Sequence, residues 1–208
     1  MPLIRKSQQS PPTTPLDSAS VLTALASGTA DERWAAARAA PDVPAGAKAL
    51  GEALVTENDV RVREAIFTSL ARICTPESVE LVLPYLRSDD AALRTAALDA
   101  LHAMKAAVHP YLAQLLGDHD VDVRLLACEL ARNLPSGDAT RLLCELLESE
   151  LEPNVCASAV EVLAEVGGAE ALPILARCAD RFRGTAFLEF SIKITADRIR
   201  AQTAPPRG

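Results

Sequence analysis

Aromatic residues make up only 3% of this 208-residue chain: four Phe, two Tyr and one Trp. A core without rings has to be filled by Ala, Leu and Val, and the apolar fraction of 49% is ample for that. Ala-rich sequence favours helix, and so Ala-rich a composition with so few aromatic side chains speaks against a sheet. No apolar run approaches the roughly 20 residues of a membrane span. The first ten residues, MPLIRKSQQS, have no secretion-signal core, so a cytoplasmic protein is expected. Histidine is scarce: His102, His109 and His119 lie in three separate segments and are followed by Ala103, Pro110 and Asp120. No Gly-rich phosphate loop and no Ser/His/Asp or Cys/His arrangement occurs, so neither catalytic residues nor a cofactor or metal site is expected. The five cysteines (Cys74, Cys128, Cys144, Cys156, Cys178) show no C-x-x-C spacing and read as small buried hydrophobes. At the start of a helix, Cys156 could have a lowered pKa; burial is the reading preferred for it.

Basic residues are also few. The net charge is −7, and residues 17–197 hold 16 basic against 28 acidic side chains, a balance of −12. Such a body repels a phosphate backbone, which argues against nucleic acid as a partner.

What the chain has is a repeat. An acidic cap is followed four residues later by Arg in Asp59-Val60-Arg61-Val62-Arg63, Asp90-Ala91-Ala92-Leu93-Arg94 and Asp120-Val121-Asp122-Val123-Arg124. A weaker first copy has Thr29 and Arg33, and a later one, Glu152-Pro153-Asn154-Val155-Cys156, puts Cys where Arg is expected. The positions 33, 63, 94, 124 and 156 are spaced by 30 to 32 residues. A period of that length marks a solenoid of helix pairs, because one pair cannot bury its apolar face alone. Six inner helices are expected at 31–40, 60–73, 91–104, 121–133, 153–166 and 185–200. Outer helices should precede them at 17–27, 44–55, 76–87, 107–116, 137–149 and 169–181. Val62, Ala65, Ile66, Leu70 and Ile73 form one buried stripe, and Leu93, Ala96, Ala97, Leu101 and Met104 repeat it. The fold class is thus all-α, a right-handed α-solenoid over 16–202, with disordered tails at 1–15 and 203–208.

This pattern resembles the HEAT repeat family in its short bacterial, phycobilisome lyase-like form. The likeness is carried by Ile73-Cys74-Thr75-Pro76-Glu77-Ser78-Val79, by Val166 through Pro173 and by Asp90 through Leu101. The resemblance implies that the Asp and Arg side chains form a ladder between units, which makes Asp59, Arg63, Asp90, Arg94, Asp120 and Arg124 structural. It also implies that the inner helices line a concave face. Two enzymatic classes share the architecture. The deoxyhypusine hydroxylases rely on His-Glu pairs that are absent here, and the alkylpurine DNA glycosylases on a basic face.

The surface then carries the functional expectation. Trp34, Arg38, Arg61, Glu64 and Arg72 should point away from the stripe near one end, and Asp99, Asp122, Glu129, Glu161 and Glu165 further along. Residues 118–170 hold twelve acids against Arg124, Arg132 and Arg141. The expected function is a non-enzymatic adaptor or regulator that binds a basic segment of a partner protein through Trp34, Asp99, Asp122, Glu129, Glu161 and Glu165. A bacterial chemosensory or two-component pathway is the setting that small HEAT proteins suggest, and a bilin-lyase-like, chromophore-handling subunit is the alternative. The last helix clusters Phe187, Phe190 and Ile194 on one face, which should either seal the solenoid or support a weak homodimer.

Overall fold

Acidic and hydroxyl side chains start six of the helices in the computed structural model, which describes residues 17–203. Asp17 accepts from the Ser20 backbone and opens α1 (Ser18–Ser27). Thr29 and Glu32 form a reciprocal capping box at α2 (Ala30–Ala39). Asp59 accepts from two backbone N–H groups to start α4 (Val60–Ile73) and Asp90 does the same for α6 (Ala91–Ala103). Asp120 takes one at α9 (Val121–Ala131). Thr75, paired with Ser78 and followed by Pro76 in the first turn, begins α5 (Pro76–Val82). The remaining helices are α3 (Gly46–Thr56), α7 (Lys105–Val108), α8 (Leu112–Leu116), α10 (Ser136–Ser149), α11 (Pro153–Val166), α12 (Leu172–Arg181) and α13 (Ala186–Thr203).

These elements make six antiparallel-style pairs: α1/α2, α3/α4, α5/α6, α7–α8/α9, α10/α11 and α12/α13. The inner helices α2, α4, α6, α9, α11 and α13 pack each on the next. Three outer segments are broken where the expected ones were continuous. Pro84, Pro110 and Pro173 lie at these breaks. Pro84 sits in the 3-10 turn Leu83–Arg87 that finishes α5, and Pro110 in the turn His109–Tyr111 that splits α7 from α8. Pro173 follows a short 3-10 turn at Ala169–Ala171, so α12 begins at Leu172. A proline has no N–H for the helical ladder, which is why each falls at a break or a first turn. The tails expected over 1–15 and over 203–208 lie outside the described residues, apart from Thr203, which ends α13.

The stripe reads as expected in its interior. Val62, Ala65, Ile66 and Leu70 are buried, and so are Ala97, Leu101 and Met104 one unit later. Leu93, Ala96 and Ile73 are only partly covered. Leu50, Leu86, Leu112, Leu143, Leu147, Leu163 and Leu175 fill the space between outer and inner helices. Truncating one of them to Ala would cost about 2–5 kcal/mol. One tight approach needs glycine. A Cβ on Gly46 would stand 1.9 Å from the Ala40 carbonyl oxygen, so the bend that carries the chain from α2 into α3 has no room for a side chain.

The cysteines divide, which corrects the expectation that all are buried. Cys128, Cys156 and Cys178 are buried, Cys144 is half-buried and Cys74 is exposed. Cys74 is the C-terminal cap of α4 in the left-handed region, φ 53°, where its side chain turns out of the helix pattern.

Candidate functional site: the inner-helix face and its junctions

The arginines of the repeat sit at the N-terminal turns of the inner helices, and each reaches back to a carbonyl of its own inter-helix turn. Arg33 Nη1 donates to Gly28 O at 2.8 Å, Arg94 Nη1 to Ser88 O at 2.6 Å and Arg124 Nη1 to Asp118 O at 2.7 Å. Arg63 makes the corresponding bond to Asn58 O at 3.4 Å. What differs is the group that the next unit offers. Arg33 forms a two-point pair with Glu57 at 2.6 and 3.0 Å, and Arg124 a two-point pair with Glu150 at 2.6 and 3.1 Å. Both carboxylates are buried, 4% and 5% exposed. Arg63 lies 3.5 Å from Asp90, whose side chain is half open to water. Among the described residues Arg94 has no carboxylate within ion-pair distance, because Asp118 of the next unit is bonded by Arg87 instead.

Thus only Arg63 meets an aspartate of the repeat motif. Asp59, Asp90 and Asp120 accept backbone N–H groups at the helix starts, and at two junctions a glutamate at the position two residues before the cap receives the arginine instead. That earlier position holds Glu57, Ser88, Asp118 and Glu150. Its side chain also ties down the turn. Glu57 Oε1 accepts from the N–H groups of Asn58 and Asp59, Glu150 Oε1 from Leu151 and Glu152, Asp118 from Asp120, and Ser88 Oγ from Asp90. The sequence signal for it was present: residues 57, 88, 118 and 150 keep the repeat period. The hydrogen bond from Arg33, aided by the backbone donors, holds the Glu57 carboxyl below the usual carboxylate range. Burial alone would push Glu150 up, but Arg124 and the two backbone N–H groups outweigh it, and its carboxyl also ends low.

The surface side chains of the inner helices fall into two groups. Near the amino end the half-buried Trp34 ring is flanked by Arg38 at 4.7 Å and Arg61 at 5.9 Å. Arg61 pairs with Asp31 and Arg72 with Asp42, so the basic charge expected here is largely met by acids of the same end. Glu64 is exposed beside it. Between α4 and α6 runs a shallow groove of about 740 Å³ lined by Phe67, Ala71, Ala92 and Ala96 and edged by Glu64 and Asp99.

Further along, Asp99 on α6 and Asp122 on α9 are exposed. Arg132 gathers three carboxylates: it bonds Glu165, reaches Glu129 at 3.2 Å and approaches Glu161 at 3.7 Å. The structure therefore brings Glu129, Glu161 and Glu165 together around one guanidinium and leaves Asp99, Asp122 and Trp34 apart from that cluster. Sequence reasoning missed Arg132 as the centre of this group, although it lies on α9's turn 33 residues before Glu165. His102 joins the end of α9 through Asn133 at 2.5 Å, and burial pushes its pKa down. Among the described residues no group of His, Cys, Asp and Glu is placed to hold a metal ion, and no helix is long and apolar enough to cross a membrane.

Comparison with known families places this architecture. The model described as HEAT repeats matches residues 18–102, 47–120 and 109–184, overlapping segments that span most of the chain. The chain belongs to the HEAT-repeat family. Among solved structures, an archaeal HEAT-like repeats protein from Thermococcus onnurineus NA1 is similar over 88% of this chain and 87% of its own, at 16% identity and a TM-score of 0.51. An engineered protein covers 89% of this chain and 97% of its own, with 18% identity and a TM-score of 0.45. A designed armadillo repeat protein matches over 88% of this chain and all of its own, with 15% identity and a TM-score of 0.41. At these identities the likeness speaks to fold alone. No curated protein matches the chain. The fold is an all-α solenoid of HEAT repeats, an architecture that in general serves as a protein-interaction scaffold.

Proposed function

We propose that this HEAT-repeat chain is a binding adaptor that holds a Lys/Arg-rich segment of another protein along its inner-helix face. The observation that carries the reading is the shared guanidinium on α9 and α11: Arg132 meets Glu129, Glu161 and Glu165, so two negative charges remain unneutralised there. Asp122 and Asp99 continue the negative surface along α9 and α6, and neither has an ion-pair partner among the described residues. A partner's guanidinium or ammonium groups would add to Arg132 rather than compete for a single carboxylate. Complementarity of this kind raises association rate and makes binding salt-sensitive. Trp34, stacked against Arg38 at the far end, serves as the aromatic end contact. The small side chains of the groove between α4 and α6 would let the bound segment pass close to the helices.

The test uses a fluorescent Lys/Arg-rich peptide and anisotropy at low and high salt. The double reversal Glu129→Lys with Glu161→Lys should weaken binding tenfold or more, equivalent to about 1.4 kcal/mol or above. A control with the same net charge, Glu52→Lys with Glu145→Lys on the outer helices, should bind nearly as well as the parent chain. Equal weakening by the two double variants would show that only overall charge matters, and the site assignment would be lost.

A second surface lies at the carboxyl end. Leu188, Ile192 and Ile199 of α13 are buried against the preceding pair, whereas Phe187, Phe190 and Ile194 are 51%, 66% and 49% exposed. Among the described residues nothing packs on the outward apolar face, and we propose that a second copy of the chain covers it. Three side chains are far below the roughly 800 Å² per partner of a stable interface, and the self-association should be weak. Sedimentation over a concentration series should show a dimer that Phe190→Glu abolishes. A strict monomer at every concentration removes this contact.

A further inference from the structure

One stretch of the inner-helix face lacks the polar side chains that its neighbours carry. In the repeat register Ala92 takes the place of Arg61 and Asp122, and Ala103 that of Arg72 and Asn133. With Ala71 and Ala96 they leave the hollow of about 740 Å³ between α4 and α6, which the buried Phe67 also lines. Glu64 stands on its α4 edge and Asp99 on its α6 edge. Both are exposed, and among the described residues neither has an ion-pair partner. The place is an apolar hollow between two unneutralised carboxylates.

The segment that precedes α1 has the matching chemistry. Residues 1–16 hold no acid, and their two basic residues, Arg5 and Lys6, directly follow the apolar pair Leu3-Ile4. We propose that Leu3-Ile4-Arg5-Lys6 docks in the hollow, the apolar pair against Phe67 and the alanines and the basic pair between Glu64 and Asp99. The chain's own segment then covers part of the inner-helix face and competes there with a basic segment of another protein. That competition rests on the adaptor reading above; the docking itself does not.

Direction and reach both allow the contact. α1 and α2 are joined by Gly28 and Thr29 alone, so they run antiparallel, and the start of α1 lies at the end of the array where the inner helices finish. The hollow extends to that same end, since Ala71 and Ala103 lie in the last turns of α4 and α6. Packed helices stand roughly 8–10 Å apart, which puts the hollow about 15 Å along the array from the first pair and about 10 Å across it. The ten residues between Lys6 and Asp17 can extend to roughly 35 Å. Tethering supplies an effective concentration on the order of millimolar, so a four-residue contact is occupied, and a longer basic segment can still displace it.

The test treats the full chain with a carbodiimide, which condenses an amine with a neighbouring carboxylate to an amide, and maps the links in the monomer and dimer fractions. The chain has four lysines, Lys6, Lys48, Lys105 and Lys193, so the links of Lys6 are readily told from the rest. Lys6 should join Glu64 or Asp99 within the monomer. Leu3→Ser with Ile4→Ser keeps Lys6 and should lower the yield of that link about tenfold. Ala92→Arg, which gives the hollow the side chain of the preceding repeat, should also lower it; position 92 is exposed, so the helical circular dichroism should be unchanged. A link at neither acid, links of Lys6 spread evenly over other exposed acids, links found only between chains, or a yield that survives loss of the apolar pair would each overturn the proposal. The Leu3→Ser, Ile4→Ser chain should also bind the fluorescent Lys/Arg-rich peptide about threefold more tightly than the parent. Equal binding by the two chains would overturn the competition. A peptide bound by neither chain would remove the adaptor reading, and the link at Glu64 or Asp99 would still decide the docking.

Discussion

The junctions at Arg33 and Arg124 and the junctions at Arg63 and Arg94 are built from one motif yet are closed differently. In the first two, a glutamate at the end of the next outer helix reaches both the guanidinium and the backbone of its own turn. In the others, that position holds Ser88, too short to reach Arg63, and Asp118, which is bonded by Arg87. Arg63 then settles for the half-exposed cap Asp90, and Arg94 for a carbonyl. The side chain two residues before the cap decides whether the repeat arginine finds a buried carboxylate: Glu57 and Glu150 supply one, Ser88 does not, and the largely covered Asp118 is taken by Arg87. The array is therefore not uniform, and its middle should be held by apolar packing more than by charge.

The largest expected effect breaks the comparison directly. Arg124→Ala leaves Glu150, 5% exposed, without its two-point partner, and should cost about 3–5 kcal/mol. Arg94→Ala removes one bond to a carbonyl and should cost about 1 kcal/mol. Urea midpoints of the two variants at equal slope give the difference. Equal losses would mean that the two junctions are energetically alike and that burial of the carboxylate is immaterial.

Next comes acid. Glu57 and Glu150 are held below their ordinary value in the folded chain, so the unfolded chain binds more protons in acid. Their contribution to stability is complete above the unfolded value near 4.5 and is lost as pH falls through the lower folded values. Glu150→Gln should lower stability at neutral pH and flatten the decline below about pH 4.5. A variant with the parent's slope over that window would show that the Arg124 junction does not drive acid unfolding.

How much of this could be read in the chain follows from the same residues. The period and the caps were legible, because Asp59, Asp90 and Asp120 act locally on backbone groups a few residues away. The buried stripe was legible for the same reason. The arginine partners were not, because a contact spanning 24 to 31 residues depends on how far each side chain reaches across a packed turn. Glu57 and Ser88 hold equivalent positions and differ in reach and in charge. Trp34 and Arg132 show the same limit at the surface. Their positions on the inner helices were clear, but the Arg61 guanidinium near the ring and the Glu161 and Glu165 carboxylates around Arg132 come from neighbouring helices.

The smallest effect sharpens the comparison by converting one class of junction into the other. Ser88→Glu places a glutamate at the position that Glu57 and Glu150 occupy. Its carboxylate should accept from Arg63 and, as Glu57 does, from the N–H of the following cap, replacing the present Ser88 Oγ bond to Asp90. The backbone carbonyl that Arg94 uses is unaffected by the change of side chain. Arg63 is already oriented toward this turn, with its side chain 20% exposed, so little ordering cost is added. A gain of about 0.5–1 kcal/mol is expected, in the range of a well-placed charge-assisted bond offset by desolvation. The gain should vanish in an Arg63→Met background, a double-mutant cycle that isolates the new pair. Stabilisation that survives removal of Arg63 would instead come from helix-end electrostatics at α6, and the reach of the residue before the cap would not be what separates the two kinds of junction.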